Sequence, residues 1–208
     1  MTFPAEGLSA KVRDKTFSDL KAYRVLLFLP RNFNLSTHTG EPMETLYYAR
    51  MDSPIGPLNV AVSDKGLVTL AFDRAPFPPD KTLYRWEKSN EKTALYSDEL
   101  RQYFAGQRRE FTFPLDLRGT PFQLQCWRAL LAIPYGETRT YADIARAVRK
   151  PQAFRAVGMA NNRNPIAIVV PCHRVIASDG TLCGYGGGLD VKRKLLELEG
   201  ALSGSLAA

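Results

Sequence analysis

The chain has 208 residues, 45% hydrophobic and 24% charged, with a net charge of +7. That is enough for a proper core, and the balance is that of a globular protein rather than a disordered or fibrous one. Its three cysteines, Cys126, Cys172 and Cys183, lack C-x-x-C spacing. This argues against a disulfide framework and for a reducing, cytoplasmic setting; no apolar stretch approaches the roughly 20 residues of a membrane span.

Residues 1–44 are poorly patterned and are read as an unassigned, flexible leader. From residue 45 to about 118 the pattern is that of a small mixed α/β domain, antiparallel strands plus a helix. Thr45–Met51, Leu58–Val62 and Leu67–Phe72 are rich in β-branched and aromatic residues, as strands are. Ser53 to Pro57 supplies a turn, and Asp64-Lys65-Gly66 a tight hairpin. Ser97 is expected to cap a short helix carrying Leu100, Tyr103 and Phe104, stopped by Gly106. Glu110–Phe113 reads as a further strand.

A mainly helical domain is expected over 119–202, followed by a tail at 203–208. Thr120-Pro121 opens a helix as N-cap and first residue, with Phe122, Cys126, Trp127, Leu130 and Leu131 as one buried stripe. Thr140 caps a second helix, Tyr141–Val148, and a third runs from Ala153 to about Asn161. Two short helices across a tight turn fit a helix-turn-helix. The third helix is built largely of small residues, Ala153, Ala156, Gly158 and Ala160, with Arg155 as its conspicuous long side chain. A small-residue face packs against another helix or comes close to a narrow minor groove, about 6 Å wide. The last helix, Leu189–Glu199, is expected to bury Val191, Leu195 and Leu198. Glu199 sits badly for the helix dipole, so it is either solvated or paired inward with His173.

Between Thr138 and Ser178 lie seven basic residues, Arg155, Arg163 and Arg174 among them, against one acid, Asp143. Phosphate neutralisation is one standard reason for such a cluster. Within it, the apolar run Ile166–Val170 ends in Pro171-Cys172-His173. A buried structural cysteine is the ordinary meaning of such a thiol. A base and positive charge beside it instead favour the thiolate, the reactive form. Successive side chains on extended backbone point to opposite faces, so Cys172 and His173 would couple through a water or a local turn. Zinc is not expected, because Cys172, His173 and Cys183 lack ligand spacing and a fourth ligand.

Arg-Ala-Val-Gly-Met-Ala-Asn-Asn-Arg-Asn-Pro (155–165), Pro-Cys-His-Arg-Val (171–175), Gly-Tyr-Gly-Gly-Gly (184–188) and Leu-Glu-Gly (198–200) resemble the O6-alkylguanine-DNA alkyltransferases. The likeness is close from about Gly119 to Leu202 and looser over Met51–Leu117, whose Ser-Pro-Ile-Gly-Pro-Leu start is similar to bacterial single-function members. It implies a ribonuclease-H-like N-terminal domain and DNA repair by a single, irreversible transfer of a methyl or alkyl group to Cys172. O6-alkylguanine in double-stranded DNA would be the substrate, with O4-alkylthymine a further candidate. By this resemblance Cys172 is the acceptor, His173 its base through water, Glu199 the orienting carboxylate, and Asn164 a brace. Tyr141 protonates the departing guanine and helps turn the target phosphate. Arg155 fills the gap left by the extruded nucleotide, on a DNA surface that includes Ala153, Ala156, Gly158 and Arg163. Val175, Cys183, Tyr185 and Gly186 line the base pocket, where Cys183 is bulkier than in many relatives. No cofactor or metal is implied, and a monomer is expected. The alternative on the same scaffold is a non-enzymatic sensor of alkylated DNA.

Overall fold

The computed structural model describes residues 43–74, 77–78 and 82–202. The expected leader (all but its last two residues) and the tail at 203–208 lie outside them. Strands β1 Thr45–Met51, β2 Leu58–Ser63, β3 Gly66–Phe72 and β4 Arg85–Lys88 form one sheet in the order β3-β2-β1-β4. The first three pair antiparallel, with Tyr48 opposite Ala61 and Val60 opposite Leu70. β4, not foreseen, lies parallel to β1, with Trp86 opposite Leu46. The sheet is therefore mixed rather than purely antiparallel.

Helix α1 spans Asn90–Phe104 and packs Tyr96, Leu100 and Tyr103 into the core with Leu58, Val60 and Leu70. Its cap is Ser89, whose hydroxyl accepts from Lys92 N at 3.2 Å. Ser97 is instead a buried residue in mid-helix. The helix thus begins a full two turns earlier than expected; Ser97 is followed by Asp98 and Glu99, which imitates a first turn. Glu110–Phe113 is not a strand. Glu99 occupies the Thr112 amide at 2.8 Å, and Pro114 has no N–H to offer a ladder. Only Leu115 bridges to Leu67, and Leu67 N donates to Pro114 O at 2.9 Å. Gly66 permits this approach: at φ +146° a Cβ there would lie 2.4 Å from Pro114 O.

In the second half, α2 Pro121–Leu131 opens on a reciprocal capping box between Thr120 and Gln123. Leu131 is exposed rather than part of the stripe, and Ile133 on the following turn packs in the core. Helix α3, Tyr141–Ala147, carries a second capping box between Thr140 and Asp143. The turn to α4, Phe154–Asn162, passes through Arg149 at φ +58°. Trp127 Nε1 donates to Ala160 O at 3.0 Å and so ties α2 to α4. Helix α5, Leu189–Leu198, buries Val191, Leu195, Leu196 and Lys192, with Leu198 only half-buried.

Polar links join the halves beside the Cys172 segment, Tyr103 Oη to Glu199 Oε1 among them. Leu70 N donates to Pro165 O and Ala167 N to Leu70 O, each at 2.9 Å, so the outer edge of β3 grips the apolar run. The Arg74 guanidinium donates to Gly187 O, and a Cβ on Gly187 would lie 2.7 Å from the Phe72 ring. All the described residues belong to one compact unit.

Candidate active site

Ile166–Val170 is wholly buried but does not continue as a strand. Val169 N bonds back to Ala167 O at 2.9 Å around Ile168, whose φ is +72°. That is the strained form of γ-turn, rare for a β-branched residue. A second, relaxed γ-turn follows around Pro171 (φ −82°, ψ 62°), closed by Cys172 N to Val170 O at 2.8 Å. Cys172–Arg174 then forms a single 3₁₀ turn. Of the two routes considered for coupling Cys172 and His173, a water or a local turn, the backbone forms the turn. β6 (Val175–Ile176) leaves it and pairs in parallel with β5 (Arg139–Thr140), at the mouth of α3.

Asn164 fastens this arrangement. Its Nδ2 donates to Val170 O at 2.7 Å and lies 3.2 Å from Cys172 Sγ, while its Oδ1 accepts from Ile166 N at 3.0 Å. Cys172 keeps 8% of its surface exposed, so the residue is recessed but not sealed.

Behind the thiol, Glu199 is the hub of a buried polar cluster. Its Oε1 lies 2.8 Å from His173 Nε2 and accepts from Tyr103 Oη at 2.7 Å and Arg174 Nη2 at 3.0 Å. Its Oε2 accepts from Arg174 Nε at 2.8 Å. Arg174 Nη1 continues to Ile133 O at 2.6 Å. Of the two placements considered for Glu199, the inward pairing is the one observed. The Arg174 guanidinium compensates both its burial and its position at the C-cap of α5.

Protonation follows from this packing. Burial raises the Glu199 carboxyl, but hydrogen bonds and charge from His173 and Arg174 outweigh it and hold it down at about 2. Burial lowers the His173 pKa despite that partner, so the imidazole is neutral at neutral pH. A neutral ring beside an ionised carboxylate must carry its proton on Nε2. Nδ1 then presents a lone pair, and it has no hydrogen-bond partner in the protein. Burial also pushes the Cys172 thiol up, with Asn164 and the Lys192 charge only partly offsetting it. The expectation of a standing thiolate is therefore corrected: desolvation exceeds the attraction of nearby charge, and the resting sulfur keeps its proton.

Tyr141, the first residue of α3, is half-buried. Burial, then a hydrogen bond with the Cys183 thiol and the neighbouring Cys172, push its phenol up. Lys192 is fully buried, donating to Val175 O at 2.6 Å and Cys183 O at 3.0 Å. The Val175 carbonyl, expected in the base pocket, is thus already engaged. Tyr185 lies edge-on to Phe72 at 5.7 Å and to His173 at 6.5 Å between centroids, and Gly186 beside it is exposed. Cys126 is buried in the core and its thiol is raised by burial.

On α4, Arg155 and Ala156 are exposed; Ala153 is the half-buried N-cap, and Gly158 and Arg163 are half-buried. A Cβ on Gly158 would meet the Tyr141 ring at 3.7 Å. The helix is less uniformly small than its alanines suggest, since Phe154 (43% exposed) and Met159 (55%) also stand out of it. The Arg155 guanidinium carbon lies 5.7 Å from the Phe154 ring centroid. Among the described residues, no cluster of three or more His, Cys, Asp or Glu side chains could hold a metal, and no helix is long and apolar enough to cross a membrane.

Residues 121–201 match the family described as 6-O-methylguanine DNA methyltransferase, DNA binding domain, and 46–117 match its ribonuclease-like domain. A methylated-DNA–protein-cysteine methyltransferase of Mycobacterium bovis is 51% identical over 154 residues, 74% of this chain and 92% of the relative. One from Methanosarcina barkeri is 49% identical over 158 residues, 74% and 97% of the respective chains. This chain belongs to the 6-O-methylguanine DNA methyltransferase family. A crystal structure of Mycobacterium tuberculosis OGT in complex with DNA superposes with a TM-score of 0.69 at 48% identity, covering 76% of this chain and 93% of that one. This methyltransferase-family chain therefore carries a DNA-binding domain and the α+β fold expected from its sequence, a sheet domain followed by a mainly helical one, with the sheet mixed by β4. Reading the sequence alone missed Tyr103, Arg174 and Lys192 as parts of the buried polar groups around Cys172 and Glu199. Arg174 offered a signal: a charge embedded in an apolar stretch requires a buried partner.

Proposed function

We propose that this chain repairs DNA by moving an alkyl group from O6 of guanine to Cys172 Sγ, once per molecule. His173 Nδ1 takes the thiol proton through a water, and the sulfur attacks the alkyl carbon. The S–C bond forms as the C–O6 bond breaks. Tyr141 gives a proton to a ring nitrogen of the departing purine, and the proton taken from the thiol is returned to Tyr141 through solvent. The products are neutral guanine and a thioether, which water does not cleave under mild conditions, so turnover stops. Glu199 fixes the imidazole tautomer, Asn164 holds the sulfur, and no cofactor is needed. The observation that carries this reading is the recessed thiol followed by a buried imidazole, whose Nε2 lies 2.8 Å from a buried carboxylate and whose Nδ1 has no partner among the described residues.

A recessed sulfur cannot reach a base edge inside a duplex, so the nucleotide is everted at a cost of a few kcal/mol. We place α4 in the minor groove: Ala153, Ala156 and Gly158 allow close approach, Arg163 faces phosphate, and Arg155 with its Phe154 neighbour fills the emptied stack. Val175, Cys183, Tyr185 and Gly186 border the base, with residues 45–118 as scaffold and the chain acting as a monomer in the cytoplasm. Incubation with duplex carrying radiolabelled O6-methylguanine is expected to move label to protein in equimolar amount, and none to Cys172→Ala. Tight binding without transfer by the wild type would favour the sensor reading instead.

A further inference from the structure

Glu199 Oε1 is crowded: Tyr103 Oη donates to it at 2.7 Å, Arg174 Nη2 at 3.0 Å, and His173 Nε2 lies 2.8 Å away. A carboxylate oxygen has two lone pairs in its plane, so the three donors compete. Arg174 is enough to hold the carboxylate in place, because it grips both oxygens, with Nε on Oε2 at 2.8 Å and Nη2 on Oε1. The Tyr103 hydroxyl is therefore not needed for orientation, yet it is firmly aimed. The residue is wholly buried, and Phe104, Phe111 and Tyr135 pack its ring at 5.4, 5.5 and 6.2 Å between centroids. Burial, and then the carboxylate beside it, raise the phenol far above its ordinary 10, so it stays a donor.

What such a donor changes is the negative charge left for His173. An ionised carboxylate beside an imidazole favours the imidazolium. An imidazolium at rest would already carry a proton on Nδ1 and could take none from the thiol. Each further hydrogen bond to Oε1 spreads the charge and loosens that pull. The other titratable groups facing the pair are Arg174 on the same turn as His173, Lys192 on α5, Tyr135 after α2 and Tyr185 in the loop before α5. Arg174 and Lys192 oppose the imidazolium by their charge. Tyr103 opposes it from the sheet half, through the oxygen it shares.

Resting on the alkyl-transfer reading, we infer that Tyr103 is a positioning residue of the transfer site: by sharing Glu199 Oε1 with His173, this hydroxyl from α1 keeps the resting imidazole free of a second proton. Wild type, Tyr103→Phe and Tyr135→Phe are compared for the pH dependence of transfer from O6-methylguanine duplex and for the proton resonance of His173 Nε2–H, with thermal unfolding alongside. Phenylalanine keeps the ring packing at 103, and Oε1 keeps two donors. In Tyr103→Phe the acid limb of the transfer rate is expected to move up by about half a unit to one unit. The resonance is expected to move downfield as the remaining bond shortens, with the rate at neutral pH no lower than wild type. Tyr135→Phe loses a hydrogen bond to Leu198 O rather than to Glu199, and is expected to move neither. A hydrogen bond of structural use only would lower the melting temperature and leave limb and resonance in place. Failure of either to move in Tyr103→Phe over the range in which it is folded, or an equal shift in Tyr135→Phe, overturns the inference. Wild type that transfers nothing at any pH would instead sink the alkyl-transfer reading, and the resonance would still decide whether Oε1 is shared.

Discussion

The sheet half and the helical half bury polar groups in opposite ways. In the sheet half, the one carboxylate buried among the described residues, Glu99, is met by the Thr112 amide and hydroxyl and by Arg108 at 3.3 Å, and no buried side-chain polar atom of that half is without a partner among the described residues. Around Cys172, four ionisable side chains (His173, Arg174, Lys192 and Glu199) are buried together, and every unmet buried side-chain polar atom among the described residues belongs to that half. The first half is organised to be stable. The second holds desolvated charge and unmet hydrogen bonds next to a thiol, an arrangement that makes sense where a substrate is to complete it.

The sharpest way to break this contrast is Glu199→Ala. It leaves Arg174 buried without its carboxylate and frees the His173 tautomer, so about 3–5 kcal/mol of stability is expected to go, along with transfer. Urea unfolding and label transfer measure the two, and a stable, active variant would refute the hub. The same pair sets the acid limit. His173 is held below its ordinary 6.5, so as pH falls under that value the unfolded chain takes up a proton that the folded chain refuses, and stability drops. Glu199, held at about 2, adds a second loss as pH falls from 4.5 toward 2. Unfolding midpoints that stay flat from pH 7 to 3 would contradict both.

Leu100→Ala in the sheet half is expected to cost about 2–5 kcal/mol through a cavity, yet to leave the transfer rate of the folded fraction unchanged. A large rate loss at temperatures where the variant is fully folded would show the halves to be coupled more tightly than the β3, Arg74 and Tyr103–Glu199 links suggest. The smallest effect is expected at Cys183→Gly. Removing the thiol beside Tyr141 should raise the rate on O6-benzylguanine relative to O6-methylguanine by up to about tenfold, the size of a small change in pocket volume. An unchanged ratio would free Cys183 from any part in selectivity.

Local signals made much of this legible. Thr120 and Thr140 were readable as caps, because a hydroxyl before an apolar period has a short-range job. Ser97 misled for the same reason: its acidic followers look like a first turn, and only the packing of Thr93 and Tyr96 shows that the helix is already under way. β4 was invisible because Arg85–Lys88 is mostly exposed and held by pairing to β1, a non-local cause. Within the site, Pro171-Cys172-His173 stood out by chemistry. Tyr103, 96 residues from Glu199, could not, since nothing in sequence records which distant hydroxyl fills a carboxylate's last lone pair. The protonation of Cys172 was misjudged because nearby charge can be read from sequence and burial cannot.

The central claim is that one sulfur, recessed but reachable, accepts the alkyl group. Reaction of the protein with excess O6-methylguanine duplex, followed by proteolysis and peptide mass mapping, tests it directly. The account expects a single added methyl per chain, all of it on the peptide containing Cys172, with Cys126 and Cys183 unmodified. Methyl found on Cys183, or spread over several side chains, would contradict it.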